Sequence, residues 1–257
     1  MCGRLAPEFL KYLETNYNIS TAFLPKLANL KQVNLTPNDY LPAILSDSKT
    51  GADERELSVI PAFWRFLPSV ISTQADFNAF VKTYSTINAR CETVRTGRLY
   101  QSAFKSNRCV VPIRGFFEWK AVAGERTKQP MWISPESPHG GIAAIYNYCP
   151  YLGELPSITL LTTEASLGEM RSIHHRMPVL LRENDFVQWI TGNAEQAAEL
   201  MKPVSSEELT FKAVNRLVNN PAWDGDFQEL LADEGTPVEK KDQTQDSPSI
   251  QPDLFNL

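Results

Sequence analysis

The sequence predicts a single α+β domain built on a mixed, mostly antiparallel β-sheet with helices at its periphery. A chain of 257 residues with 42% hydrophobic content can bury one substantial core. Its middle, residues 109–162, is a succession of apolar runs rich in β-branched and aromatic residues, the composition of strands. Apolar residues at helical spacing fall outside that block, near both ends of the chain.

Taken in order, residues 7–17 place Phe9, Leu10, Leu13 and Tyr17 on one helical face. Asn34-Leu35-Thr36-Pro37 reads as a turn, residues 41–45 as a strand, and 46–55 as a polar turn carrying Gly51. A second strand is expected over 57–66, then a polar loop over 69–76. Residues 109–119 form a buried strand, and further strands are expected at 131–133, 141–148 and 157–162. A helix is predicted over 163–173, with Thr163 as N-cap and Glu164 in its first turn. Pro178 bars its continuation and opens a strand over 179–181. Helices follow at 184–190 and 194–201, parted by Gly192-Asn193, and a last strand spans 209–214 before the polar loop at Val214-Asn215-Arg216. The folded domain is expected to cover residues 1–233. Residues 234–257, with two lysines against five acids and little to bury, read as a disordered acidic tail that ends in an apolar tip.

Composition narrows the chemistry. The histidines are His139, His174 and His175, so few acid-base groups are on offer near neutral pH. Cys2, Cys91, Cys109 and Cys149 show no metal-ligand spacing, and no signal sequence or membrane-length apolar run appears. A reduced, cytoplasmic, metal-free and cofactor-free monomer is expected. A net charge of −5 argues against an indiscriminately basic coat for nucleic acid. Residues 82–108 nevertheless carry Lys82, Arg90, Arg95, Arg98, Lys105 and Arg108 against the single acid Glu92. Such a stripe is the footprint of polyanion binding, and equally of a solvated helix face.

Three features carry reactive groups. In Met1-Cys2-Gly3-Arg4, removal of Met1 would leave Cys2 with an α-amine and a thiol on adjacent carbons. With reference pKa values of about 7.7–8.0 and about 8.5, both are nucleophilic near neutral pH. An aldehyde is their natural target, giving an imine and then a five-membered thiazolidine by intramolecular closure. Glu118 lies between Phe117 and Trp119 on a buried strand, where desolvation would raise its pKa, although strict alternation with two inward rings would turn it outward. In His174-His175-Arg176-Met177-Pro178, a histidine pair beside an arginine at a helix exit suits proton transfer near a phosphate.

These motifs, with Asn34-Leu35-Thr36-Pro37, Ile87-Asn88-Ala89-Arg90-Cys91-Glu92-Thr93, Gly115-Phe116-Phe117-Glu118-Trp119 and Val214-Asn215, occur in an order that resembles the SOS response-associated peptidase (SRAP) family over residues 1–233. The resemblance implies a barrel-like sheet and a DNA-repair protein that crosslinks its N-terminal cysteine to abasic sites in single-stranded DNA, protecting the lesion during replication-associated repair. It further implies lyase-type imine chemistry, with autopeptidase removal of Met1. The implied catalytic residues are Cys2, Asn88, Glu118 and His174, with Arg4, Pro37, Arg90 and Arg176 contacting DNA. His175, Trp64 and Arg65 are secondary candidates. Trp64-Arg65 stands where the family usually has Trp-Gly, and the following loop lacks an aromatic pair often found there. Separately, Gln251-Pro252-Asp253-Leu254-Phe255 resembles the Gln-x-x-Leu-Phe peptides that dock on the bacterial β sliding clamp, with Gln251, Leu254 and Phe255 as contacts. Together these imply a nucleoid or replication-fork location. Two other readings of the N-terminus are an N-terminal-cysteine amidohydrolase or thiol peptidase, and a non-covalent reader of modified bases.

Overall fold

The computed structural model describes residues 3–20, 22–46, 57–137 and 139–231. Cys2, most of the expected polar turn at 46–55 and the tail from 234 lie outside the described residues. The first half comprises β1 (Leu5–Pro7), α1 (Leu10–Asn16), α2 (Leu24–Ala28), β2 (Tyr40–Ser46), β3 (Leu57–Trp64), α3 (Gln74–Thr83), β4 (Asn88–Arg90), α4 (Cys91–Val94), α5 (Gln101–Ser106) and β5 (Arg108–Lys120). The second comprises β6 (Gln129–Pro135), β7 (Gly141–Asn147), β8 (Ser157–Glu164), α6 (Glu169–Ile173), β9 (Arg176–Pro178), β10 (Leu180–Leu181), α7 (Phe186–Thr191), α8 (Ala194–Glu199), β11 (Leu209–Ala213) and α9 (Phe227–Leu231).

The described strands join in one mixed sheet with the path β10–β7–β8–β3–β2–β5–β6–β11, while β1 adds to β5, and β4 and β9 add to β8. β5 also pairs with β7, so β7, β8, β3, β2 and β5 form a ring of strands. Among the described strands, only β3 and β4 run parallel to a partner strand, β8 in both cases. The expected α+β architecture is therefore present.

Period-two alternation divides the core. Leu41, Ala43 and Leu45 of β2, Cys109, Val111 and Ile113 of β5, Ile142 and Ala144 of β7, and Ile158 and Leu160 of β8 share one apolar cluster. The intervening Ile44, Val110, Ala143, Ile145 and Leu161 belong to a second, covered by Leu13, Leu27, Phe104, Phe186 and Trp189 from α1, α2, α5 and α7. Both faces of these strands are buried, which explains why their sequences read as near-continuous apolar runs.

Several local expectations change. Residues 69–76 do not stay a loop, because Thr73 and Asp76 form a reciprocal capping box that starts α3. The helix predicted over 163–173 shrinks to Glu169–Ile173, with Gly168 at φ 97° as its N-cap in place of Thr163. Thr163 instead extends β8, whose end pairs with β9, and this pairing outweighs the local helix signal. The strand expected at 179–181 shortens to β10, which pairs with β7, and is preceded by a separate strand, β9, which pairs with β8. Pro7 belongs to β1, so the first helix begins at Leu10. Among the described residues, no helix is long and apolar enough to cross a membrane.

Candidate functional site

The site is built where β5 leaves the ring. Gly115 permits this stretch, since a Cβ there would sit 2.5 Å from the Ile133 carbonyl and from the Trp132 ring. Beyond it Phe116 enters the central cluster, whereas Phe117 joins a separate cluster with Trp132 and Val218, against which Trp119 packs. Glu118 therefore shares the Phe116 face. It does not point outward: only 4% of it is exposed. Its sequence neighbours Phe117 and Trp119 turn away from it. Burial pushes its carboxyl above the ordinary range, against the opposing charges of Lys128 and His175.

His174 caps the C-terminal end of α6, a short helix that packs on β5 and is tied to it by Lys120 Nζ donating to Glu169 Oε1 at 2.7 Å. The imidazole is folded back on the chain, with the Arg176 N–H donating to Nδ1 at 3.0 Å and the Arg176 carbonyl 2.9 Å from the same nitrogen. His174 is half-buried and its pKa is lowered, first by desolvation and then by positive neighbours including Lys128 and Arg176. His175 is exposed and stacks on His174 with centroids 4.5 Å apart. Lys128 thus acts on both Glu118 and His174, and His175 on Glu118, which places these groups around one locus.

Arg176 is buried. Its Nη1 donates to Glu92 Oε1 at 2.7 Å and its Nη2 to Glu92 Oε2 at 3.0 Å and to the Thr162 carbonyl at 2.5 Å. Nε has no hydrogen-bond partner among the described residues. Asn88 is half-buried at the start of β4, against Leu160 of β8, and Arg90 at the end of β4 is exposed.

Arg4 is held within the fold. Nη1 donates to Asn34 Oδ1 at 2.7 Å and to the Val218 carbonyl at 2.5 Å, and the guanidinium lies 5.7 Å from the centroid of the Trp119 ring. Trp64 is fully buried, its Nε1 donating to the Ile87 carbonyl at 3.0 Å, so it braces the approach to Asn88 and offers no face for stacking. Arg65 donates from Nε to Asn38 Oδ1 at 2.7 Å, next to the half-buried Pro37. Within the basic stripe, Arg108 is buried, with Nε and Nη1 bonded to the carbonyls of Trp189 and Phe104 at 2.6 Å each, and Arg95 pairs with Glu195 at 3.3 Å. Lys82, Arg90, Arg98 and Lys105 remain exposed.

Sequence reasoning missed Glu92 as a partner of Arg176, noting it as the lone acid in a basic run and as part of the motif around Asn88 without a role, and missed Lys128 altogether. The first had a signal, an acid in the first turn of α4 two residues beyond Arg90. Lys128 had none, because a lysine in a polar loop is unremarkable until the hairpin brings it to Glu118.

The family model described as SOS response associated peptidase (SRAP) matches residues 1–221. Abasic site processing protein YoqW of Bacillus subtilis is 28% identical over 230 residues, covering 86% of this chain and 95% of that protein. Abasic site processing protein HMCES of Pongo abelii is 28% identical over 220 residues, covering 73% of this chain and 61% of that protein. A crystal structure of a protein from Bacteroides thetaiotaomicron shares the fold at a TM-score of 0.70 with 20% identity, covering 85% of this chain and 94% of that one. The match over residues 1–221 means that this chain belongs to the SRAP family.

Proposed function

We propose that the protein binds abasic sites in single-stranded DNA and forms a thiazolidine crosslink through Cys2 once Met1 is removed. The observation that carries this reading is the register of β1 on β5. Leu5 faces Phe116, and Phe117 N–H donates to the Arg4 carbonyl at 3.0 Å, so the same register puts Gly3 across from Glu118. Cys2 is the next residue in the chain. Relatives named abasic site processing proteins supply a matching lesion, since the ring-opened sugar of an abasic site is an aldehyde.

In this mechanism the Cys2 amine condenses with the aldehyde, releasing water, and the thiol then adds across the C=N bond. Its proton passes to nitrogen and no oxidation state changes. Glu118, with its raised pKa, exchanges protons with the amine and thiol. His174 assists opening of the sugar ring, with His175 outside the proton path, and Asn88 hydrogen-bonds the captured sugar. Arg90 contacts a flanking phosphate from its exposed position. Arg4 organises the N-terminal segment beside Trp119, while Pro37 and Arg65 shape the path of the strand. Autopeptidase removal of Met1 would use the same groups.

The test is incubation of the full-length protein with single-stranded DNA bearing one abasic site, followed by a denaturing gel. A shifted band that disappears in Cys2→Ala is expected, and its absence from the wild type would refute the reading. Turnover of an amide without a lasting bond would indicate the hydrolase alternative, and binding without any adduct by the wild type, unchanged in Cys2→Ala, a non-covalent reader. We further propose residues 1–233 as the catalytic domain and residues 234–257 as a tether. In that tether Gln251, Leu254 and Phe255 dock on the β sliding clamp, bringing the protein to replication forks. Deleting residues 251–257 should abolish clamp binding, and unchanged affinity would sink this part.

A further inference from the structure

Two of the proposed reacting side chains, Asn88 and His174, lie on segments that do not pair with each other. Asn88 opens β4, His174 sits between α6 and β9, and both β4 and β9 hang on β8. The connection between them runs through side chains. Glu92, four residues beyond Asn88, holds both Nη atoms of Arg176, two residues beyond His174. A bidentate pair of this kind fixes the relative plane of its partners as well as their distance. Nη2 also reaches the carbonyl of Thr162 at 2.5 Å and its Oγ1 at 3.2 Å, so α4, β8 and β9 share one network. At its far end the Arg176 backbone holds His174 Nδ1 by its N–H at 3.0 Å. Displacing Arg176 therefore displaces the imidazole.

We infer that Glu92 is a positioning residue, which through Arg176 sets the His174 ring relative to Asn88 for reaction at the abasic sugar. The inference rests on the crosslinking function proposed above. Glu92 also supplies a counter-charge. The groups acting on His174 from its surroundings are Arg176 of β9, the adjacent His175 and Lys128 of the β5–β6 loop, with the carboxyl of Glu118 on β5 and the Lys120–Glu169 pair between β5 and α6 nearby. Without Glu92, the buried guanidinium is uncompensated and the imidazole holds its proton less well.

The experiment compares the full-length wild type, Glu92→Gln and Glu92→Asp in two assays. One is the rate of adduct formation on abasic single-stranded DNA across about pH 5 to 9. The other is equilibrium binding to the same strand carrying a tetrahydrofuran in place of the lesion, which has no aldehyde. Glu92→Gln is expected to slow the adduct on the order of tenfold to a hundredfold and to move the His174-dependent limb of the pH profile to lower pH, with tetrahydrofuran binding unchanged. Glu92→Asp, keeping the charge on a shorter arm, should recover part of the rate. A wild-type rate and profile in Glu92→Gln would overturn the inference, as would a loss confined to binding, which would assign the pair to strand affinity. If Glu92→Gln fails to fold by circular dichroism, Glu92→Asp decides alone: a slowed rate supports positioning and an unaltered one overturns it. Absence of any adduct in the wild type would instead sink the crosslinking function itself.

Discussion

At Glu118, burial on the Phe116 face of β5 makes the folded protein hold a proton that the unfolded chain has already released. Between the ordinary glutamate pKa, about 4.3, and the raised folded value, the native state binds more protons than the unfolded state, so stability falls as pH rises through that window. Glu118→Gln removes this cost. Its melting temperature should exceed that of the wild type near neutral pH, and the difference should shrink below about pH 4, where the Glu118 carboxyl becomes protonated in both the folded and the unfolded state. A variant less stable than wild type at both pH values would contradict the argument. The gain should come with a loss of adduct formation on the order of a hundredfold, the scale of an acid-base group. The two histidines separate in the same assay. His174→Gln, which removes the ring anchored on Arg176, should slow the reaction by a similar order, whereas the exposed His175→Gln should stay within about threefold. Equal effects would reverse the assignment. The motif already favoured His174 over His175, and the hydrogen bond of His174 to Arg176 is a difference between the two that the sequence does not show.

At the scale of elements, β5 serves the ring and the site at once. It closes the ring through β7, carries β1 and with it the N-terminal segment, and presents Glu118. Gly115 makes the close crossing with β6 possible. Gly115→Ala should cost about 1–3 kcal/mol in denaturant unfolding, since neither the Ile133 backbone nor the packed Trp132 ring can retreat without strain. A neutral result would mean that the hairpin opens freely. The strand itself was legible in residues 109–119, whose apolar and β-branched density has no helical period. The helix over residues 163–173 was not, because Thr163 satisfies both an N-cap pattern and a β-propensity, and only the pairing with β9 decides between them. α3 was missed although its capping box was readable as Thr73 and Asp76, hidden within a polar stretch.

For the whole molecule, charge distribution separates binding from stability. The basic run at 82–108 reads as one stripe, yet Arg108 is an internal strut between α5 and α7, whereas Arg90 is exposed beside the site. Arg90→Ala should weaken binding to single-stranded DNA and reduce the slope of log K against log salt by about 0.7, one phosphate contact, without altering the melting temperature. Arg108→Ala should do the opposite, lowering stability because several carbonyls lose their donor, while the salt slope holds. A shared response in both measurements would show that the stripe acts as a unit.

The sequence by itself determined the strand-rich α+β domain, the family motifs and the residue types of the proposed site, because period, composition and motif order are local properties of the chain. The tertiary structure decided the rest. It buried Glu118 on the Phe116 face, bound Arg176 to Glu92, drew Arg4 and Trp64 into the fold, and brought Lys128 to the site. Each of these depends on a partner far away in sequence. Burial and charge pairing are properties of the surroundings a side chain acquires on folding, and no local pattern encodes them.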